Sequence, residues 1–372
     1  MTAAPQRLFA PGDGATPPAL TGREREEAVL TRCLADLLAG TSPPHDVVLT
    51  GPRGNGKTVL LNWFEHACRD HGTDVDVVNL TPDDIPTRDA LIDVLSPRGI
   101  ARLLSRESTL GAKLTARCRK KPFAVLLDEA HTLDPGVGRV LLNASQQVRA
   151  NAPFLLALAG TPGLAAHLGA MGVSFWSRLG EGRLGIGLLS DAAARAALVE
   201  PLAAHGTSLD ADALNAVIDD SQRYPYFIQV WGRALWQQRL AIGATRLTAV
   251  HVDAARPDVA GQITDYYQER YRELETRGLL PAAVATAPLF QAGADATASD
   301  HAIDAALAAT GTDAAARLAA REELHRLGYL WSPPGQLPPV VWIAGIPSLT
   351  AYVLANAPPL GVRKTDDGDA GG

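Results

Sequence analysis

The stretch of sequence that decides the fold reads Gly51-Pro52-Arg53-Gly54-Asn55-Gly56-Lys57-Thr58. It satisfies the phosphate-binding pattern G-x-x-x-x-G-K-[ST] without a gap. Glycines let the backbone turn tightly, so that main-chain N–H groups can face phosphate oxygens. In this pattern Lys57 supplies positive charge to the β- and γ-phosphates of ATP, and Thr58 supplies a hydroxyl to Mg²⁺. The whole loop, residues 51–58, is therefore predicted to bind nucleotide.

The residues on either side of the loop supply the context that the pattern requires. The run from Asp46 to Thr50 predicts a strand that ends in the loop, and the apolar spacing after Thr58 predicts a helix. The N-terminus of that helix would add partial positive charge beside the phosphates. This context favours a nucleotide site over an ordinary glycine-rich surface turn.

A pair of acidic residues further along the chain predicts the second half of the site. Residues 123–127 are a continuous apolar run, typical of a strand that is covered on both faces, and Asp128 and Glu129 follow directly. We expect Asp128 to hold Mg²⁺, directly or through water, and Glu129 to activate the attacking water as general base. The alternative, two ordinary surface acids at a strand end, is weakened by the phosphate-binding loop upstream.

Polar residues also follow two other predicted strands. Thr161 comes after the strand at 154–159 and could orient water near the γ-phosphate, or cap a helix that begins at Pro162. Asn79 lies at the end of the strand at 76–80, where it could restrain Glu129 or be a plain strand-end residue.

Two arginines are candidates for a contribution from a neighbouring subunit. Arg178 is predicted to reach the neighbour's γ-phosphate as an arginine finger, with a surface salt bridge as the alternative. Arg183 is the second candidate for the same role.

The order of predicted elements divides the chain into five parts. Strands alternate with helices over residues 21–190, which predicts an α/β core with a parallel sheet. Residues 191–260 lack strand patterns and predict a helical lid. Residues 261–356 predict three helices and a hairpin, a winged-helix-like order. We expect residues 1–20 to be a flexible segment and residues 357–372 to be a solvated tail.

Composition excludes several other classes of protein. No apolar run reaches about 18 residues, so we expect no membrane-spanning helix. Three widely spaced cysteines, Cys33, Cys68 and Cys118, suit neither a disulfide framework nor a zinc site and favour a cytoplasmic location. A guanine-reading Asn-Lys-x-Asp segment is missing from the sequence, which argues against a GTPase. The net charge of −6 gives no overall attraction to nucleic acid.

Four motifs together resemble a known family. The phosphate-binding loop, Gly22-Arg23-Glu24, Asp128-Glu129-Ala130-His131 and Ala159-Gly160-Thr161-Pro162-Gly163 are similar to AAA+ ATPases of the origin-recognition and initiator-loader type, and to prokaryotic STAND signalling ATPases. The resemblance covers roughly residues 20–260. It implies ATP and Mg²⁺ as cofactors, an ATPase core followed by a helical lid and a winged helix, and homo-oligomers on nucleotide binding.

The start of the predicted lid helix departs from both family patterns. Initiator-type proteins carry a lid arginine that contacts the γ-phosphate, whereas STAND proteins carry Gly-x-Pro. Here Arg223 stands where the glycine is expected, and Pro225 completes the second pattern. The resemblance implies that Pro225 lies next to the base, although it could simply begin a helix. Coupling between lid and nucleotide therefore stays open.

The C-terminal part could contact DNA or protein. Arg317, Arg321 and His325 form one stripe along the predicted helix at 313–327, which favours DNA. However, residues 262–359 contain six basic and ten acidic residues, a net charge of −4, which disfavours phosphate contacts. We expect a protein partner, with DNA as the alternative.

We thus expect Mg²⁺-dependent ATP hydrolysis that moves the lid and C-terminal part in a regulatory or DNA-associated process. The alternative is a nucleotide-dependent signalling switch with slow or no turnover and protein partners.

Overall fold

The computed structural model describes residues 5–12, 14, 17–72, 74–96, 109–172, 175, 179–334 and 340–358. Its helices are α1 (Glu24–Leu38), α2 (Lys57–Asp70), α3 (Arg88–Leu95), α4 (Leu110–Cys118), α5 (Pro135–Arg149), α6 (Leu164–Ala170), α7 (Asp191–Ala204), α8 (Ala211–Ser221), α9 (Pro225–Ile242), α10 (Ala249–Thr276), α11 (Leu280–Thr286), α12 (Asp300–Ala308), α13 (Ala314–Leu327) and α14 (Pro347–Asn356). Its strands are β1 (Val47–Thr50), β2 (Asp76–Leu80), β3 (Phe123–Leu127), β4 (Phe154–Gly160), β5 (Arg183–Gly185), β6 (Ser208–Leu209), β7 (Arg246–Leu247), β8 (Ala298–Ser299), β9 (Leu330–Trp331) and β10 (Val341–Ala344).

A parallel sheet in the order β2-β3-β4-β1-β5 forms the N-terminal core. Every residue of β1, β3 and β4 is buried, as the continuous apolar runs predict. Because all five strands point the same way, the segments after β1, β3 and β4 emerge at one edge of the sheet. The predicted α/β class with a parallel sheet is confirmed.

Helices cover both faces of this sheet because alternate strand residues point to opposite sides. Val48, Val125 and Leu156 pack in one buried cluster with α3, α4 and α5. Leu49 and Ala124 pack in another with α1 and α2. The sheet edge is thereby held between two rigid layers.

Helices α7, α8, α9 and the first part of α10 enclose a second core around Trp231 and Trp236. This is the region in which sequence predicts a helical lid. The predicted boundary between residues 260 and 261 falls inside the continuous helix α10, which contains both residues.

The C-terminal region has its own core of helices α11–α14 and a small antiparallel sheet in the order β8-β10-β9. The predicted order of three helices and a hairpin is present, with α14 added. Helix α10 joins the two helical cores, since Val259 is buried in one and Leu274 in the other. Residues 335–339, between the two strands of the hairpin, and most of the predicted tail, residues 359–372, lie outside the described residues.

The predicted flexibility of residues 1–20 is wrong for the described part of that segment. Phe9 is 1% exposed, and its ring lies against Gly232 of α9 in the second core. The carbonyl of Gly14 accepts a hydrogen bond of 2.6 Å from the Asn62 amide. The Pro/Gly-rich composition hid this packing because a single aromatic residue provides the anchor.

We expect Phe9→Ala to lower the free energy of unfolding by about 3 kcal/mol, since it removes a fully buried aromatic side chain. Urea denaturation followed by tryptophan fluorescence measures this change. Val250→Ala is the control, because Val250 is 74% exposed and its replacement is expected to cost less than about 0.5 kcal/mol. Equal stability of the two variants would show that the segment is not part of the folded core.

Candidate functional site

The phosphate-binding loop turns directly from β1 into α2. Gly54 and Gly56 have φ values of +76° and +92°, a left-handed conformation that L side chains rarely adopt. Helix α2 then begins at Lys57, so the unpaired N–H groups of its first turn lie at the mouth of the loop. The predicted sequence of strand, loop and helix is present, and it forms an anion-binding helix start.

The Lys57 ammonium lies inside the loop. It donates hydrogen bonds of 2.9 Å to the carbonyl of Gly51 and 2.8 Å to that of Pro52. Burial, opposed by the charges of Glu129 and Asp128, lowers the pKa of Lys57 to about 8. Two neutral carbonyls compensate a buried ammonium less well than an anion does, so phosphate oxygens are the natural additional partners for this charge.

Thr58 and Asp128 meet as the two sequence motifs predict. The Thr58 hydroxyl donates a hydrogen bond of 2.6 Å to Asp128 Oδ2, and the Glu129 N–H donates one of 2.8 Å to Oδ1. A hydroxyl and a carboxylate fit Mg²⁺, which takes few protein ligands and completes its shell with water and phosphate oxygens. No cluster of three or more His, Cys, Asp or Glu residues that could hold a metal occurs in the described part of the chain.

Glu129, His131 and Thr161 lie together beyond the end of β3. Glu129 has a left-handed φ of +50°, and its Oε2 lies 3.4 Å from His131 Nδ1. The N–H of Thr161 donates to the same nitrogen at 3.4 Å. Burial lowers the pKa of His131 to about 4, and the charges of Arg53 and Lys57 act in the same direction. Neutral His131 therefore accepts from Thr161, which places Thr161 beside the Glu129 carboxylate.

Two of the alternatives for residues at the sheet edge are wrong. Thr161 does not cap the following helix, because α6 begins at Leu164 after Gly163. Asn79 does not reach Glu129; its amide donates to Asn62 at 2.9 Å and Glu65 at 2.8 Å. Both side chains come from α2, which is packed beside β2.

The structure describes only one of the two candidate finger arginines. Arg178 lies outside the described residues. Arg183 is exposed at the start of β5. The role of each stays a prediction.

A cavity of about 390 Å³ lies over the loop, and we call it the first cavity. Lys57, Thr58 and Glu129 line one part of it. Its other walls come from α9, from α10 and from the N-terminal segment, and they include Pro225, Tyr226, Tyr266, Ala10, Pro11 and Gly12. Pro225 is the first residue of α9 and also borders this space, so both of its predicted roles are compatible with its position.

A second cavity of about 400 Å³ lies between the core and the C-terminal region. Thr161 and His131 line it from the core. Arg277, directly after α10, and Arg326 of α13 line its other side.

Arg223 lines neither cavity. Its guanidinium pairs with Asp295 at 2.5 Å, and its φ of +57° is left-handed. The position thus keeps the backbone conformation of the expected glycine, although the side chain serves as a tie to the C-terminal region.

Sequence reasoning missed a tyrosine that holds the loop. The Tyr224 hydroxyl donates to the carbonyl of Arg53 and shares a hydrogen bond of 2.9 Å with the Tyr266 hydroxyl. A Cβ on Gly54 would lie 2.6 Å from the Tyr224 oxygen, so only glycine fits there. The only sequence signal was an aromatic residue directly before Pro225.

Arg23, part of the Gly-Arg-Glu motif, also fixes the loop. Its guanidinium donates to the carbonyls of Asn55 at 3.1 Å and Gly187 at 2.6 Å. Burial lowers the pKa of Arg23, with the charges of Glu26 and Glu24 acting in the opposite direction. The motif thereby joins the start of α1 to the loop.

The parallel sheet, the phosphate-binding loop and the acid pair after β3 are features of a P-loop nucleotide-binding fold. Residues 45–168 match the family described as the AAA domain. The predicted resemblance to AAA+ ATPases of the origin-recognition type is confirmed at the level of fold.

Solved structures share that fold over nearly the whole chain. The Walker-type ATPase of Pyrococcus abyssi has a TM-score of 0.61 and 16% identity, with 90% of this chain and 96% of that chain covered. Aeropyrum pernix ORC2, solved with ADPNP and ADP, has a TM-score of 0.52 and 15% identity, covering 94% and 99%. Cdc6p of Pyrobaculum aerophilum has a TM-score of 0.50 and 15% identity, covering 95% and 98%.

A search of curated protein sequences found no match. Over the described residues, none of the helices combines the length and apolar character needed to cross a membrane.

The depressed pKa predicts that ATP binding weakens at alkaline pH. In the protein without bound ATP, Lys57 loses its proton around pH 8, whereas phosphate binding requires the charged form. The charged fraction then falls about tenfold between pH 7 and pH 9, and ATP affinity should fall by about the same factor. Calorimetric titrations in buffers of different ionisation enthalpy should detect proton uptake on binding at pH 8–9. An affinity that is flat over this range, with no proton uptake, would contradict the assignment.

Proposed function

We propose that this protein binds ATP with Mg²⁺ and hydrolyses it to ADP and phosphate. The observation that carries the proposal is the 2.6 Å contact between Thr58 and Asp128, which joins the phosphate-binding loop to the acid pair. Lys57 and Glu129 line the same cavity as Thr58. A cation ligand, a phosphate-binding ammonium and a general base are therefore available at one place.

Each residue has a distinct task in this proposal. Backbone N–H groups of the loop and Lys57 bind the phosphates, while Thr58 and Asp128 hold Mg²⁺, which when bound neutralises phosphate charge. Glu129 takes a proton from the attacking water. Thr161, buried beside Glu129 and His131, orients that water through its hydroxyl.

The adenine end of the nucleotide would lie toward the lid. Pro225, Tyr226 and Tyr266 offer apolar and aromatic surface on that side of the first cavity. The N-terminal segment closes the same side, with Phe9 as its anchor. ATP would thus touch the core, the lid and the N-terminal segment at once.

We propose that hydrolysis changes how the C-terminal region packs on the core. This region, which we assign as winged-helix-like, touches the loop directly. A Cβ on Gly328, the residue that ends α13, would lie 3.1 Å from Pro52 Cα. A Cβ on Gly163 would lie 3.2 Å from Arg326 Cβ. A movement of the loop on nucleotide binding would therefore displace C-terminal residues that contact it directly.

The contacts of the arginine stripe favour a protein partner over DNA. Arg317 pairs with Asp304 at 2.9 Å, and Arg321 pairs with Asp300 at 3.0 Å. His325 is partly buried against the Trp342 ring, with 5.2 Å between ring centroids. The stripe is neutralised within the region, which leaves little free charge for phosphate contacts.

The proposal also covers assembly and cellular location. We propose that nucleotide promotes assembly into homo-oligomers, with Arg178 near the contact, and that the protein acts in the cytoplasm.

A switch with slow or no turnover is the second candidate function. It is favoured by the direct packing of Gly328 on Pro52, because this contact couples loop and C-terminal region even without hydrolysis.

Lys57→Ala should weaken ATP binding about 100-fold, because charge-assisted contacts worth roughly 3 kcal/mol are lost. Glu129→Gln should keep ATP affinity within about threefold and lower kcat by about 100-fold or more. Glu181→Gln, whose side chain is 81% exposed, is the matched control. Calorimetry measures ATP affinity, and phosphate release measures kcat. Both are repeated with duplex DNA, and we expect DNA not to stimulate ATP hydrolysis. Normal ATP affinity of Lys57→Ala, or normal turnover of Glu129→Gln, would contradict the assigned roles.

A disulfide between positions 163 and 326 should lock the C-terminal region onto the core. The Cβ separation of 3.2 Å is close to the range of about 3.5–4.5 Å that disulfides use. We expect the oxidised Gly163→Cys, Arg326→Cys double variant to bind ATP normally, to turn it over at least about tenfold more slowly, and to recover on reduction.

The two single variants and the wild type serve as controls for this lock. All three native cysteines are buried, and burial raises the pKa of each thiol, so none should form the cross-link. If the oxidised and reduced double variants turn over ATP equally, movement of the C-terminal region is not part of the cycle.

A further inference from the structure

Arg53 occupies a position that no other described residue shares. It lines the first cavity together with Lys57 and Glu129, and it lines the second cavity together with Thr161. A terminal phosphate bound by Lys57 and attacked by water held at Glu129 and Thr161 would touch residues of both cavities. Arg53 is the cation that lines both.

The backbone of Arg53 is held by a hydrogen bond, whereas its side chain forms no ion pair with the described residues. Its carbonyl accepts the hydrogen bond from Tyr224. In the described part of the chain no carboxylate pairs with its guanidinium. By contrast, Arg326 of the second cavity pairs with Glu323 at 2.7 Å, and Arg277 pairs with Glu273 at 3.8 Å.

The charge of Arg53 acts on residues of both cavities. Burial lowers the pKa of His131 and of Lys57, and the positive charge of Arg53 contributes to the lowering in both cases. A guanidinium near the Lys57 ammonium adds repulsion between two positive charges. An anion between Arg53 and Lys57 removes this repulsion, and the γ-phosphate is the anion that the proposed function brings there.

We propose that Arg53 contacts the γ-phosphate of ATP bound in the same chain and stabilises the charge that develops on it during hydrolysis. The inference rests on the proposed ATPase function. Water oxygen forms a bond to the γ-phosphorus while the bond from that phosphorus to the β–γ bridging oxygen breaks. The water proton passes to Glu129, and the bridging oxygen leaves with ADP. Arg53 donates hydrogen bonds throughout and exchanges no proton.

An arginine supplied in cis has a kinetic consequence. Turnover per chain should not depend on protein concentration, whereas an arginine such as Arg178 supplied by a neighbour would make it rise with assembly. An arginine that stabilises the transferring phosphoryl group typically contributes about 10³–10⁵ to kcat.

The test measures binding of ADP together with aluminium fluoride, which mimics the transferring phosphoryl group, beside binding of ADP alone. Arg53→Ala should weaken binding of the fluoride complex at least about 100-fold and leave ADP affinity within about threefold, because the guanidinium meets only the γ-position. Arg53→Lys should weaken binding of the fluoride complex less than Arg53→Ala does, since lysine keeps the charge but not the planar fork. Arg326→Ala is the matched arginine control from the second cavity and should change neither affinity by more than about threefold.

Single-turnover phosphate release by the same variants completes the test. We expect a rate independent of protein concentration in the wild type and at least about 100-fold lower in Arg53→Ala. Equal loss of ADP and fluoride-complex affinity in Arg53→Ala, or wild-type turnover in that variant, would overturn the inference. A wild-type protein that releases no phosphate would refute the proposed ATPase function instead, and the ratio of the two affinities would then still decide whether Arg53 meets the γ-position.

Discussion

The hydrogen bond between Thr58 and Asp128 is the contact on which the site depends. It joins the first turn of α2 to the end of β3, although β4 lies between β3 and β1 in the sheet. Only a parallel sheet whose strands end at one edge brings these segments together. The same edge places Glu129 and Thr161 beside the loop, so the sheet order determines which side chains can act on one ligand.

The loop is held by residues from every other part of the chain. Arg23 reaches it from the start of α1, Tyr224 from the start of α9, and Gly328 packs on it from the C-terminal region. Helix α10 belongs to both helical cores, and its Tyr266 bonds to Tyr224. A ligand that moved the loop would act on all of these contacts. This arrangement explains why a nucleotide could change the packing of regions that are distant in sequence.

Local patterns in the sequence were sufficient for the centre of the site. Lys57 and Thr58 follow from one motif, and Asp128 and Glu129 follow from an apolar strand that ends in two acids. The apolar runs also predicted the buried strands β3 and β4. These features are readable because strand, loop and helix starts depend on neighbouring residues.

Features that depend on distant partners were not readable. Phe9 is an isolated aromatic residue in a Pro/Gly-rich segment, and only the presence of Gly232 opposite makes it an anchor. Arg317 and Arg321 formed a basic stripe in sequence, yet acids of α12 neutralise them. The Asn79 amide bonds to Asn62 and Glu65 of α2 rather than to Glu129, because its partners depend on how α2 packs on β2.

The most direct test of the central claim is a crystal structure with Mn²⁺ in place of Mg²⁺ and a non-hydrolysable ATP analogue. A magnesium site at Thr58 and Asp128 predicts one anomalous Mn²⁺ peak per chain, about 2.0–2.2 Å from Thr58 Oγ1, with Asp128 bound to it directly or through a water. The triphosphate should run along residues 51–58. A cation bound elsewhere, or a loop with no space for the γ-phosphate beside Asp128 and Glu129, would contradict the account.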